Sequence, residues 1–354
     1  MKKYSFLLLF LAHFAFSQEN KFRSEEVDYW NLADSVHVFG TLTMPETGSK
    51  FPAVLLITGS GPQDRDCNIF GHKPFKVIAE YLSNRGFSVL RVDDRGVGKT
   101  TKGRNPKLAT SENFAKDVLS GVDFLKNRSE INASKIGLIG HSEGGMIAPM
   151  AANQSKDVAF IVSLAGTGVS GRVVLLNQAE AILLASKIDS SIVKERVNFN
   201  SKLFDLAIDE NDSKIFEEKL TLELNGLSDE QKNKLGFKGM EKMVIAQAKS
   251  LNIPWTKFFL KYDPSHDWGK IKVPVLALNG TKDTQVTYDL NLTAIEKALK
   301  IGGNMHYKIV KLEGLNHLFQ HAETGLINEY ATIKEDFAPE ALKIMGDWLI
   351  EITK

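Results

Sequence analysis

A doubly wound, mostly parallel α/β sheet with a helical cap inserted between its late strands is the architecture this chain of 354 residues predicts. Three observations point to it. Short apolar runs recur along the chain, each ending in glycine or polar residues, as parallel strands buried on both faces do. Helix-like segments separate these runs, the alternation from which doubly wound sheets are built. Between two late runs, from 171 to 267, the chain becomes helix-like and charge-rich with no clear strand.

The elements follow in order. The opening MKKYSFLLLFLAHFAFSQEN has Lys2 and Lys3, an apolar stretch from Phe6 to Phe16, and small residues Ala15 and Ser17 at the spacing signal peptidase reads. Residues 1–17 are therefore expected to be a cleaved export signal, which sends the protein to the periplasm or the medium. The apolar run is too short for the roughly 20 residues of a membrane span, so no stable membrane anchor is expected. EEVDYWNLADSVHVFGTLTMP then alternates apolar and polar residues around Ala33 and Asp34, the pattern of an antiparallel hairpin. The buried runs are PAVLLITG (52–59), FSVLRVD (87–93), KIGLIGH (135–141), VAFIVSLAG (158–166), VPVLALNG (273–280) and HYKIVKLEG (306–314). Helices are predicted over 74–86, 111–127, 144–154, 290–300 and 338–353, with Ser111 as the N-cap of the second and Gly86 as the C-cap of the first. This divides the mature chain into a core of 18–170 and 268–354 and a helical cap of 171–267, with a separate second domain as the other reading of that insertion.

Composition narrows the function. Hydrophobic residues make up 43% and charged residues 25%, which suits a globular fold. Lys plus Arg number 44 against 43 Asp plus Glu, so no electrostatic footprint for nucleic acid or an anionic membrane surface is present. Small, uncharged or mildly charged substrates are expected. Cys67 is the single cysteine, so no intrachain disulfide can form, and the clustered Cys and His spacings of a zinc site are absent. No metal or other cofactor is expected.

The run KIGLIGH leads directly into Ser142, with Gly140 two places before it and Gly144 two places after. A G-x-S-x-G pattern arises by chance about 0.1 times in a chain of this length, so its setting decides. Here it lies between a predicted strand and a predicted helix, as a nucleophile elbow must. The turn is tight enough that its flanking residues must lack side chains. The helix after it aims free amides and its positive dipole end at the space above the serine, where negative charge develops in acyl transfer. The amide of Glu143 is the first candidate oxyanion donor. The loop after PAVLLITG, TGSGPQDRD, supplies the second, with Ser60 favoured and Gly61 next, although a plain glycine turn would read the same way.

A serine hydroxyl needs a base held by a carboxylate. His317 follows the last predicted strand, late in the order Ser, Asp, His; His321 and His266 are reserves. His13 lies in the signal, His37 in the hairpin and His306 at a strand start, while His141 is expected to pack behind the site. VAFIVSLAG ends without a carboxylate, whereas VPVLALNG runs into TKDTQV, making Asp283 the candidate acid and Asp289 its reserve. Arg65, among the charged loop positions Asp64, Asp66, Asp94 and Arg95, is read either as a bidentate partner for a substrate carboxylate or, preferentially, as loop support through ion pairs.

With these residues in order, the chain resembles the α/β-hydrolase superfamily through GHSEGG (140–145), NGTKDTQV (279–286) and GLNHLF (314–319). GSGPQDRD (59–66) and DDRGVGKT (93–100), together with GHSEGG, are similar to bacterial serine carboxylesterases with an inserted helical cap. The resemblance implies a triad of Ser142, Asp283 and His317 and hydrolysis of small esters of short to medium acyl chain. A peptidase or amidase is the alternative, since the cap is rich in glutamate and the same triad cleaves amides. A noncatalytic binding protein on this scaffold is a reading of another class, and it would be favoured by loss of a triad member. The segment VVLLNQAEAILLASKI (173–188) has the pattern of a packed amphipathic helix and, secondarily, of an apolar lid.

Overall fold

A computed structural model describes residues 21–354; the expected export signal and His13 lie outside the described residues. The first half runs β1 (Phe22–Asn31), β2 (Val36–Pro45), β3 (Phe51–Ile57), α1 (Pro74–Ser83), β4 (Ser88–Val92), α2 (Ser111–Lys126), β5 (Ile131–His141), α3 (Glu143–Ala152) and β6 (Val158–Leu164). The helical insertion follows as α4 (Gly171–Ala185), α5 (Ser190–Asp209), α6 (Ser213–Asn225), α7 (Asp229–Leu235), α8 (Glu241–Ala248), α9 (Pro254–Lys261) and α10 (Ser265–Trp268). The chain closes with β7 (Val275–Gly280), α11 (Tyr288–Ile301), β8 (Tyr307–Leu312) and α12 (Pro339–Ile352).

The strands form one sheet of eight in the order β1-β2-β4-β3-β5-β6-β7-β8. β1 pairs antiparallel with β2, and β2 antiparallel with β4, whereas every pair from β4 to β8 is parallel. Strand periodicity explains how such apolar runs satisfy two faces at once. In β3, Ala53, Leu55 and Ile57 join one core cluster with α2, α3 and α11, while Val54 and Leu56 join the other with α1 and α12. β7 divides the same way, Val275 and Ala277 to one side, Leu276 and Leu278 to the other. The insertion has a small core of its own, in which Leu203, Phe204, Phe216, Leu220 and Leu224 are buried. Among the described residues no helix is long and apolar enough to cross a membrane.

Two of the expected caps differ. Thr110 precedes α2, and its N–H donates to the Asn113 side chain at 3.0 Å, while Ser111 is drawn inward to a buried carboxylate described below. α1 ends on Asn84, and Gly86 stands two residues on at φ +95°, where it turns the chain into β4.

Candidate active site

Ser142 is the single residue between the end of β5 and the start of α3, held at φ 56° and ψ −119°. A non-glycine residue there stores about 1–3 kcal/mol of backbone strain, which persists only where the surroundings enforce it. The flanking glycines show what enforces it. A Cβ on Gly140 would lie 2.0 Å from the carbonyl oxygen of Gly144, and one on Gly144 would lie 2.2 Å from that of Ile57. Gly145, which the sequence pattern did not single out, is equally constrained, because its Cβ would meet the Gly166 Cα at 2.6 Å. The turn is fastened by the Ser142 N–H, which donates to Leu164 O at 2.9 Å, and by the Gly145 N–H, which donates to Ser142 O at 2.9 Å.

His317 lies beyond β8 and Asp283 just beyond β7. The His317 Nδ1 is 2.8 Å from Asp283 Oδ2, with side-chain exposures of only 5% and 0%. The other carboxylate oxygen, Oδ1, accepts the N–H groups of Gln285 (2.8 Å) and Val286 (2.9 Å). That loop therefore holds the acid, and the acid fixes the ring with its proton on Nδ1. Asn316 shapes the histidine loop, its Oδ1 accepting from Leu318 N and Gln320 N at 3.0 and 2.9 Å. His141 packs behind, as expected: its Nε2 donates to His317 O at 2.8 Å and the two rings lie 4.7 Å apart. Burial, aided by repulsion from His317, pushes the His141 pKa down to about 3, so this ring stays neutral.

Ser142 and His317 line one cavity of about 410 Å³ together with Ser60, Trp255 and the α4 residues Val174 and Leu175. The reserve residues are elsewhere. His321 is exposed between Glu335 and Glu340, at 2.9 and 3.0 Å; His266 sits in α10; and Asp289 accepts the Leu290 N–H at the start of α11.

The loop after β3 presses against the serine, since a Cβ on Gly59 would come within 3.0 Å of the Ser142 Cβ. Asp94 braces that loop by accepting the Thr58 hydroxyl (2.7 Å) and the Gln63 N–H (2.9 Å), and burial pushes its pKa up to about 7. Arg65 grips Asp93 through Nε (3.1 Å) and Nη2 (2.7 Å) and Glu26 through Nη1 (2.7 Å). All three guanidinium nitrogens are thus engaged by protein carboxylates, which tie the loop after β3 to β1 and to the loop after β4. Gly61 needs its glycine for a φ of +89°. The amides of Ser60 and Glu143 have no hydrogen-bond partner among the described residues.

The Glu143 side chain was not foreseen as part of the site. It is buried at 2% exposure, and its Oε1 accepts the Ser111 hydroxyl at 2.6 Å and the Trp255 indole N–H at 3.0 Å. Burial raises its pKa, opposed by those hydrogen bonds. Trp255, from α9 of the insertion, is thus tied to the residue following the serine. Only the Pro254 start of that helix marks the place in sequence, and nothing there announces the contact. Among the described residues no group of three or more His, Cys, Asp or Glu is arranged to hold a metal ion.

Residues 73–223 match a hydrolase family described as serine aminopeptidase, S33. The chain is 39% identical over 121 residues to esterase EstD of Thermotoga maritima, a match covering 33% of this chain and 27% of that protein, so only about a quarter of that relative's length is spanned. An uncharacterized 31.7 kDa protein of Escherichia coli is 24% identical over 281 residues, covering 76% of this chain and 88% of its own. Among solved structures, the Pyrococcus furiosus esterase Pf2001 superposes with a TM-score of 0.56 at 16% identity, covering 94% of this chain and 92% of that one. The α/β hydrolase GrgF of Penicillium superposes with a TM-score of 0.55 at 17% identity, covering 94% and 98%.

Proposed function

We propose that this chain is an esterase-like α/β hydrolase that cleaves carboxylic esters through an acyl-enzyme on Ser142, with His317 as base and Asp283 as its orienting acid. The observation that carries this reading is the strained Ser142 sharing a cavity with an imidazole whose Nδ1 is bonded to a buried carboxylate. In the proposed reaction His317 Nε2 takes the Ser142 proton as Oγ attacks the ester carbonyl carbon. The oxyanion is met by the partnerless amides of Glu143 and Ser60, the former at the positive end of α3. Collapse breaks the bond to the alcohol oxygen, which leaves with the proton from His317. Water, deprotonated by the same ring, then attacks the acyl carbon and returns Ser142 and the free acid.

The peptidase alternative draws on the aminopeptidase description of the matched family. A substrate with a free ammonium needs an uncommitted carboxylate near the serine. The insertion residues lining the cavity are Val174, Leu175, Gln178, Trp255, Thr256 and Phe259, none of them acidic, and Oε1 of the one lining carboxylate, Glu143, is engaged by both Ser111 and Trp255. Those linings favour the ester. The helical insertion is proposed to act as a cap over Ser142, and the first 17 residues to direct export and be removed.

The experiment compares residues 18–354 with the Ser142→Ala variant on p-nitrophenyl esters and on aminoacyl p-nitroanilides. Ester turnover abolished by the substitution is the expected result. Cleavage of the anilides alone would transfer the reading to a peptidase.

A further inference from the structure

A second cavity, larger than the one that holds Ser142, lies among the described residues. It measures about 810 Å³ and lies beside it, between the loops after β3 and β4, α2 and the insertion. Its walls are mostly apolar, with Leu55, Val118 and Ile147 among them. Gly59, Ser60 and Trp255 line both cavities, so the two meet across the candidate oxyanion loop and the tryptophan that Glu143 holds. A volume of this size is in the range that takes up most of a drug-sized ligand.

Two side chains that line it each carry a polar atom with no partner among the described residues. The Tyr29 hydroxyl is buried and makes no hydrogen bond among the described residues, on a side chain only 8% exposed. The fold makes room for it, because a Cβ on Gly121 would stand 2.7 Å from that oxygen. The Arg95 Nη1 is likewise buried and without a partner, although the rest of its guanidinium is paired with Asp34 (2.7 Å) and Asp117 (2.9 Å). Buried donors left unmade are costly, so a ligand that brought an acceptor to either group would be favoured.

We propose that this cavity receives a long or ring-bearing apolar arm of the ester, one carrying a neutral hydrogen-bond-accepting oxygen along its length for Tyr29 and Arg95. The inference rests on the hydrolase reading of Ser142. Neutrality follows from charge: Arg95 is already matched by Asp34 and Asp117, Asp93 is held by Arg65, and Lys102 on the lining is set against Asp94, so a carboxylate on the arm meets no net positive field. The substrate class is then an uncharged ester whose arm is much larger than acetyl or ethyl, with a keto, ether or amide oxygen in it.

The test fills the cavity. Ala109 lines it and is not fully buried, so Ala109→Phe intrudes without cutting into a packed core. The ratio of kcat/KM for p-nitrophenyl decanoate to that for p-nitrophenyl acetate reads an acyl arm, and the ratio for decyl acetate to ethyl acetate reads an alcohol arm. One of these ratios is expected to fall by about tenfold or more in the variant, the scale on which a hydrophobic pocket discriminates. Unchanged ratios in both panels overturn the proposal. Tyr29→Phe removes only the hydroxyl and guards against a misfolded variant. It is expected to abolish any preference for a keto-bearing decanoate over plain decanoate, and a preference left intact counts against the assigned role. If no ester is cleaved and a fluorophosphonate leaves Ser142 unlabelled, the hydrolase reading has failed on its own. Binding of N-phenylnaphthylamine then judges the cavity separately: weaker fluorescence enhancement in Ala109→Phe supports an apolar-ligand site, and equal enhancement overturns it.

Discussion

Replacing Asp283 by asparagine tests whether the acid acts by holding one tautomer of His317. The side chain has two orientations. The Gln285 and Val286 N–H groups, 2.8 and 2.9 Å from Oδ1, require an acceptor at that place. Turning the amide NH2 toward them would leave two buried donors unsatisfied, at about 1–3 kcal/mol each, or roughly 2–6 kcal/mol together. The NH2 therefore points at His317 Nδ1, which must become the unprotonated nitrogen. The proton moves to Nε2, the atom that in the proposed reaction accepts it from Ser142. At about 1.4 kcal/mol per decade, that penalty confines the competent tautomer to between about one part in thirty and one in twenty thousand. Loss of the negative charge that stabilises the imidazolium lowers the rate further, so kcat/KM is expected to fall about ten-thousandfold. The exchange is isosteric and keeps the loop bonds, so the melting temperature should stay within a few degrees of the native protein. The assay is ester hydrolysis on freshly folded protein checked by circular dichroism. A folded Asp283→Asn variant retaining more than about a tenth of the native kcat/KM would refute the tautomer argument.

Other consequences are equally direct. Ser142→Gly should abolish hydrolysis yet raise the melting temperature, because glycine at φ 56° releases about 1–3 kcal/mol of strain against a chain-entropy cost of about 0.5–1; a lower melting temperature would mean that the turn is not strained. Asp94 has its carboxyl pushed up by burial to about 7 from an ordinary value of 3.8, so its contribution to stability is complete below about pH 4 and disappears as pH rises through 7. Asp94→Asn keeps an acceptor for the loop and has no charge to bury, and its melting temperature relative to the native protein should climb between pH 4 and 8; a constant difference would contradict that sign. His141, with its pKa near 3, should show no imidazole titration between pH 5 and 9 by NMR, and a shift in that window would contradict its burial as a neutral ring.

Much of this site was legible in the sequence because the fold puts chemistry at strand ends. Ser142, Asp283 and His317 each follow an apolar run, and each run is a parallel strand within two residues of its expected limits, except that β5 begins four residues early, at Ile131. The two glycines around Ser142 were readable for the same reason: a tight turn leaves a local mark. Contacts made across the fold leave none. Ser111 looked like a cap from its neighbours, but a buried Glu143 32 residues away draws its hydroxyl inward, and Thr110 takes the cap. Trp255 reaches the same carboxylate from 112 residues away, and nothing in the sequence around it announces that contact. The 173–188 stretch read foremost as a packed helix. Leu175 and Leu176 do pack on the insertion's core, yet Val174 and Leu175 also face the Ser142 cavity. Arg65 was readable as a charged loop residue, but its partners Asp93 and Glu26 lie 28 and 39 residues away and left no local mark. The larger cavity was invisible, since its walls come from the hairpin, two loops, α2 and the insertion.

The most direct test of the central claim is covalent labelling of residues 18–354 with a fluorophosphonate, followed by peptide mass mapping. Activation of Ser142 by His317 and Asp283 predicts one adduct, on the peptide containing Ser142, that disappears in Ser142→Ala and is strongly slowed in Asp283→Asn. An unlabelled protein, or an adduct on a different residue, would contradict the account.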